Sequence, residues 1–74
     1  MKEFNNQIFI KRLVKLMKEK ELNIQKLGDA VGLPRTSISN WLNGRRTVSV
    51  DAIFKFSQYF NVSADYLIGI SDFE

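Results

Sequence analysis

The sequence predicts an all-α domain of five short helices. Three observations carry that reading. Apolar residues recur at three- and four-residue intervals in several short segments, the spacing of one helix face. Stop and start residues separate the segments: Gly32-Leu33-Pro34, Asn43-Gly44, Asn61-Val62-Ser63 and Gly69. The chain is 74 residues long, so it is expected to form a single domain, residues 1–74, around a modest core.

The first helix is expected over about 7–20. Phe9, Leu13 and Leu16 form its inward stripe, with Ile10, Val14 and Met17 beside it and Lys11, Lys15 and Lys18 turned away. Phe4 has two available resting places, this helix or a second chain. Asn23 suits an N-cap for a second helix over 24–31, and Leu22 and Leu27 have the spacing of a hydrophobic staple. Leu27 and Val31 point inward. Gly32 is placed to adopt the left-handed stop, Leu33 to plug the turn, and Pro34 to sit at the next helix start, where a missing N–H is harmless. The third helix, 35–42, carries Ile38, Trp41 and Leu42 at helical spacing and ends at Asn43-Gly44. Ser49 caps a fourth helix over 50–60, with Asp51 at its positive end and Ile53, Phe54, Phe56 and Phe60 inward. Ser63 caps a short fifth helix, 64–68, with Leu67 packed and Gly69 as stop. The last five residues are expected to fray. The expected core is Phe9, Leu13, Leu16, Leu27, Val31, Leu33, Ile38, Trp41, Ile53, Phe54 and Leu67.

Composition excludes several functions. Cys and His are absent, which removes disulfides, thiol chemistry, the usual neutral-pH base and most transition-metal sites. No secretory signal or membrane-length apolar run is present, so a soluble cytoplasmic protein with no membrane partner is expected. The acids are scattered and the chain has little volume for a preorganised pocket. No catalytic residue, metal, cofactor or small-molecule ligand is therefore expected. Charge is more informative by position than in total. Residues 30–50 hold Arg35, Arg45 and Arg46 and no acid, whereas residues 51–74 carry four acids against one lysine. That asymmetry suits a protein oriented on a polyanion.

The segment Gly32–Gly44 gives the basic region a purpose. Two short helices joined by a tight turn, the second presenting polar groups, are a device for reading base edges in double-stranded DNA. If Ile38 and Trp41 face inward, Arg35, Thr36, Ser39 and Asn40 lie on the outward surface. Arg pairs with guanine, Asn with adenine, and the Thr methyl meets thymine. Singly these are ordinary polar residues on a wet helix face; the turn before them is what gives them direction. Gln25, Lys26, Ser37, Asn43, Arg45 and Arg46 are the expected phosphate contacts, which position the protein without reading sequence. Trp41 is expected in the core and not as a base-stacking platform.

These residues resemble the helix-turn-helix family of phage repressors, Cro proteins and their bacterial relatives, over roughly residues 9–69. The resemblance rests on Leu22 to Leu27, Val31-Gly32, Ser37-Ile38-Ser39, Trp41, Asn43-Gly44 and Asn61 through Gly69. It implies a lambda-repressor-like five-helix DNA-binding domain that regulates transcription, by repression, as a homodimer on a pseudo-palindromic site. Its base-reading positions fall on Arg35, Thr36, Ser39 and Asn40. Three departures stand out. Ile24 replaces a common phosphate-binding Gln, which Gln25 replaces imperfectly. Gly28 replaces a close-packed Ala. Met17 and Leu42 replace a common Arg–Glu pair, which predicts packing in place of an ion pair. Ile10, Val14, Phe56, Tyr59, Phe60 and Ile68 exceed what a small core needs, so helix 64–68 and neighbouring aromatics are expected to form the dimer contact. The competing reading is a protein-binding module on the same scaffold, an antitoxin or anti-regulator, which predicts an exposed apolar patch.

Overall fold

Asn5 opens the first helix. Its side-chain oxygen accepts the Gln7 amide at 2.9 Å, satisfying a first-turn donor that has no partner within the helix. A computed structural model describes residues 3–74, and five helices lie within them. These are α1 (Asn6–Glu19), α2 (Ile24–Val31), α3 (Arg35–Leu42), α4 (Val50–Phe60) and α5 (Ala64–Ile68). α1 begins and ends one residue earlier than its periodicity predicts, because Asn5 is the cap and Glu21 takes a left-handed turn conformation, φ 55°. Asn23, Ser49 and Ser63 cap α2, α4 and α5 through the amides of Lys26, Ala52 and Tyr66. Among the described residues no helix is long and apolar enough to cross a membrane.

One apolar cluster joins all five helices. Phe56 of α4 lies at its centre, fully buried, with the Phe9 ring 6.2 Å away and the Trp41 ring edge-on at 6.1 Å. Leu13, Leu16, Met17, Leu27, Ile38 and Leu67 complete its interior, while Val31, Leu33, Leu42 and Ile53 pack half-buried at its margin. The chain's radius of gyration is 11.3 Å, the size expected of a close-packed chain this long.

Three expectations are corrected. Phe54 is not core: it is 61% exposed. α4 turns Ala52, Phe56 and Phe60 inward, and a residue two positions from each points to the opposite side. For the same reason Phe56 and Phe60 are not surplus apolar surface; both are buried. The last five residues do not hang free. Arg12 donates to the carbonyls of Tyr66 and Ser71, the latter at 2.6 Å, stacks 4.3 Å over the Tyr66 ring and pairs with Asp72 at 3.4 Å. Lys15 meets Glu74 at 3.1 Å, and the Ser63 amide donates to the Glu74 carbonyl at 2.8 Å. The acidic tail is thus laid along basic α1. The hydrogen bond to Glu74 raises the Lys15 pKa above its ordinary 10.5, so the ammonium stays charged through the neutral range.

Candidate nucleic-acid interface

α2 and α3 meet through a turn with no space to spare. Gly32 ends α2 at φ 73°, a conformation where a side chain is strained. The amides of Gly32 and Leu33 both donate to the Gly28 carbonyl, at 2.8 and 3.0 Å. Gly28 is buried, and a Cβ there would lie 2.7 Å from the Leu33 carbonyl oxygen. The bare backbone at 28 lets the turn close directly over α2. This is the physical meaning of the departure at that position.

α3 is then held from inside. Ile38 is fully buried, Trp41 is 7% exposed, and Trp41 packs against Phe56. The opposite side is open. Arg35 and Thr36 are exposed at the N-terminal turn, and Ser37, Ser39 and Asn40 are half-buried along the same short rod. Pro34 stands at the cap position and supplies no side-chain hydrogen bond, so the first turn of α3 keeps amides free of side-chain partners. Arg35 also reaches back. Its guanidinium donates to the Gln25 side-chain oxygen at 3.4 Å, joining the starts of α2 and α3. Sequence reasoning treated these two residues separately. Their meeting depends on how tightly the turn folds, and no spacing rule encodes that.

The loop after α3 is fastened to it. The amides of Arg45 and Arg46 both donate to the Asn40 carbonyl, at 3.0 and 3.2 Å. The Asn43 side-chain oxygen accepts the Arg45 amide at 3.0 Å, and Gly44 supplies the positive φ of 80° that the reversal requires. Asn43 therefore shapes the loop, while its amide nitrogen stays available. The Arg45 and Arg46 side chains are exposed beside the end of α3, and Gln25 and Lys26 are exposed at the start of α2. The structure thus joins Gln25 to Arg35 at the starts of α2 and α3, and Asn40 to Arg45 and Arg46 at the end of α3. Among the described residues, no acidic group forms an ion pair with Lys26, Arg35, Arg45 or Arg46.

The family model described as helix-turn-helix matches residues 13–67, most of the chain and all of this unit. The chain belongs to the helix-turn-helix family. Its fold is the compact five-helix, lambda-repressor-like arrangement, a fold suited to DNA binding and regulation. A crystal structure of a transcriptional regulator from Listeria innocua is similar, with a TM-score of 0.72 and 21% sequence identity. The match covers 82% of this chain and 57% of that one, so the likeness concerns the fold of a little over half of the regulator. No curated protein matches the sequence. Within this helix-turn-helix domain, Met17 is buried and Leu42 packs half-buried against the same cluster.

Proposed function

We propose that this helix-turn-helix protein is a sequence-specific regulator of transcription, of the phage repressor and Cro type, acting by repression in the cytoplasm. One observation carries the reading: Ile38 and Trp41 anchor α3 in the core while Arg35, Thr36, Ser39 and Asn40 remain on its open side. In this proposal α3 enters the major groove. Arg35 pairs with guanine, Asn40 with adenine, and Thr36 and Ser39 contact neighbouring base edges. Gln25, Lys26, Ser37, Asn43, Arg45 and Arg46 hold phosphates on either side. Two copies bind a pseudo-palindrome, with half-sites about 34 Å apart, one turn of the duplex.

The test is selection of bound fragments from random duplex DNA, followed by titration at two salt concentrations. A recurring half-site, repeated with inverted symmetry, and an affinity that falls with salt are the expected results. An affinity insensitive to salt defeats the reading and favours a protein-binding module. The exposed Val50 and Phe54 on α4 are the observation that speaks for that second reading, because they form an apolar patch beside the loop.

A further inference from the structure

We propose that the exposed face of α1 bearing Lys11, Lys15 and Lys18 is a second surface for the sugar–phosphate backbone of duplex DNA, and that the acidic tail masks it through Asp72 and Glu74. This goes beyond the reading of bases by α3, because it concerns a different pair of helices and contacts that are blind to sequence.

The three lysines stand in one row. Residues four and seven apart on a helix share a face, and all three are exposed. From Lys11 to Lys18 the helix rises by about 10 Å. Over that length each strand of a duplex presents about three phosphates. No large apolar side chain is exposed between these lysines, because Leu13, Leu16 and Met17 are buried in the core. A protein partner would need such an anchor, whereas a row of phosphates needs only charge. Among the described residues Lys11 and Lys18 have no ion-pair partner, while Lys15 meets Glu19 at 3.9 Å and Glu74 at 3.1 Å.

The tail already seats anions on this helix. The Glu74 carboxylate lies on the middle lysine of the row, and Asp72 lies on neighbouring Arg12 at 3.4 Å. Backbone bonds aim the tail there. The amides of Ile70 and Ser71 donate to the Asp65 carbonyl at 2.8 and 3.2 Å, and the Ser63 amide donates to the Glu74 carbonyl at 2.8 Å. No apolar burial fastens it. Ile70 is 72% and Phe73 84% exposed, so neither large side chain is packed away against α1. The ion pairs themselves are open to water: Lys15 and Glu74 are about half exposed and the Asp72 side chain almost fully. Exposed pairs are weak and screened by salt, so a row of phosphates can displace them.

Position agrees with a separate role. α3 packs chiefly on α2 and α1 on α5, so the two basic surfaces belong to different helix pairs. The mask acts on the α1 surface alone, since neither Asp72 nor Glu74 pairs with Lys26, Arg35, Arg45 or Arg46. Its effect is to lower binding that reads no sequence, which widens the gap between a selected site and the excess of random duplex around it.

Asp72→Asn combined with Glu74→Gln removes the masking charge and keeps the side-chain shapes. Binding of this tail variant to mixed-sequence duplex DNA is followed by fluorescence anisotropy over a range of salt, with circular dichroism to establish folding. Affinity is expected to rise about tenfold at low salt, and the salt slope to steepen by about two to three as the lysines meet phosphates. Adding Lys15→Gln is expected to abolish the gain. Adding Lys55→Gln, which removes the same charge from α4, is expected to preserve it. Arg45→Ala with Arg46→Ala should weaken binding before and after the tail change alike, leaving the ratio between them intact. An unchanged slope in the tail variant overturns the mask. A gain that survives Lys15→Gln, or falls equally with Lys55→Gln, reflects net charge alone and overturns the α1 surface. Neither result touches base reading by α3, which is tested on selected sites. Failure to select a half-site would in turn leave the tail experiment standing.

Discussion

Asn40 has two separable duties. Its backbone carbonyl receives the Arg45 and Arg46 amides, while its side chain lies on the open side of α3. Truncation to Ala removes only the second. Asn40→Ala is expected to cost about 1–3 kcal/mol on the selected site and to relax preference at one base pair. Equal weakening on random duplexes would show that Asn40 reads no base. Arg45→Ala should act in the opposite pattern, weakening all duplexes alike and lowering the salt slope by about one. An unchanged slope removes Arg45 from the phosphate set. Arg12 lies outside this site. Its guanidinium, 19% exposed, serves two carbonyls and the Tyr66 ring, so Arg12→Ala is expected to lower stability by about 1.5–3 kcal/mol in denaturant titration. The orientation of α3 was legible because two inward positions, Ile38 and Trp41, fix which side of an eight-residue helix faces out. Arg12 was not, because its partners are 54 to 60 residues away in sequence.

At the level of elements, capping is local and therefore readable. Asn23, Ser49 and Ser63 each satisfy the amide three residues further on in the helix they open, whatever the rest of the fold does. Which side of a helix is buried depends on its neighbours, and there periodicity misled. α4 carries phenylalanines both inside and at the margin of its apolar side, and packing decides that Phe56 is inside and Phe54 outside. The two phenylalanines should respond very differently. Phe56→Ala is expected to cost about 3–5 kcal/mol, enough to threaten folding. Phe54→Ser should change stability by less than about 0.5 kcal/mol. Similar losses at both positions, measured by thermal unfolding, would place Phe54 back in the core. The turn between α2 and α3 has its own test. Gly28→Val forces a branched side chain against the Leu33 carbonyl, and a loss of about 1–3 kcal/mol is expected. Weaker DNA binding should accompany it, because the turn sets the pose of α3.

Across the whole molecule, charge is sorted by face. Basic groups of α2, α3 and the following loop are left open, whereas the acidic tail is occupied with Arg12 and Lys15 of α1. The net excess of positive charge in the sequence was legible, but its separation from the acids depends on how the tail folds back. The ties at Lys15 also have a pH limit. A lysine whose folded pKa is raised contributes fully below its ordinary 10.5, and the contribution disappears as pH climbs past the raised value. On the lysine side, the tail tie should therefore hold through the neutral range and loosen in strong base.

The Asn40 carbonyl has one last consequence. It makes helix and loop a single rigid jaw, so α3 cannot tilt without carrying Arg45 and Arg46 along. In the proposed DNA-reading mode, a poor fit of α3 in the groove would also lift these two cations from the strand. Discrimination would then emerge chiefly as faster escape from wrong sites, with arrival rates nearly the same for all.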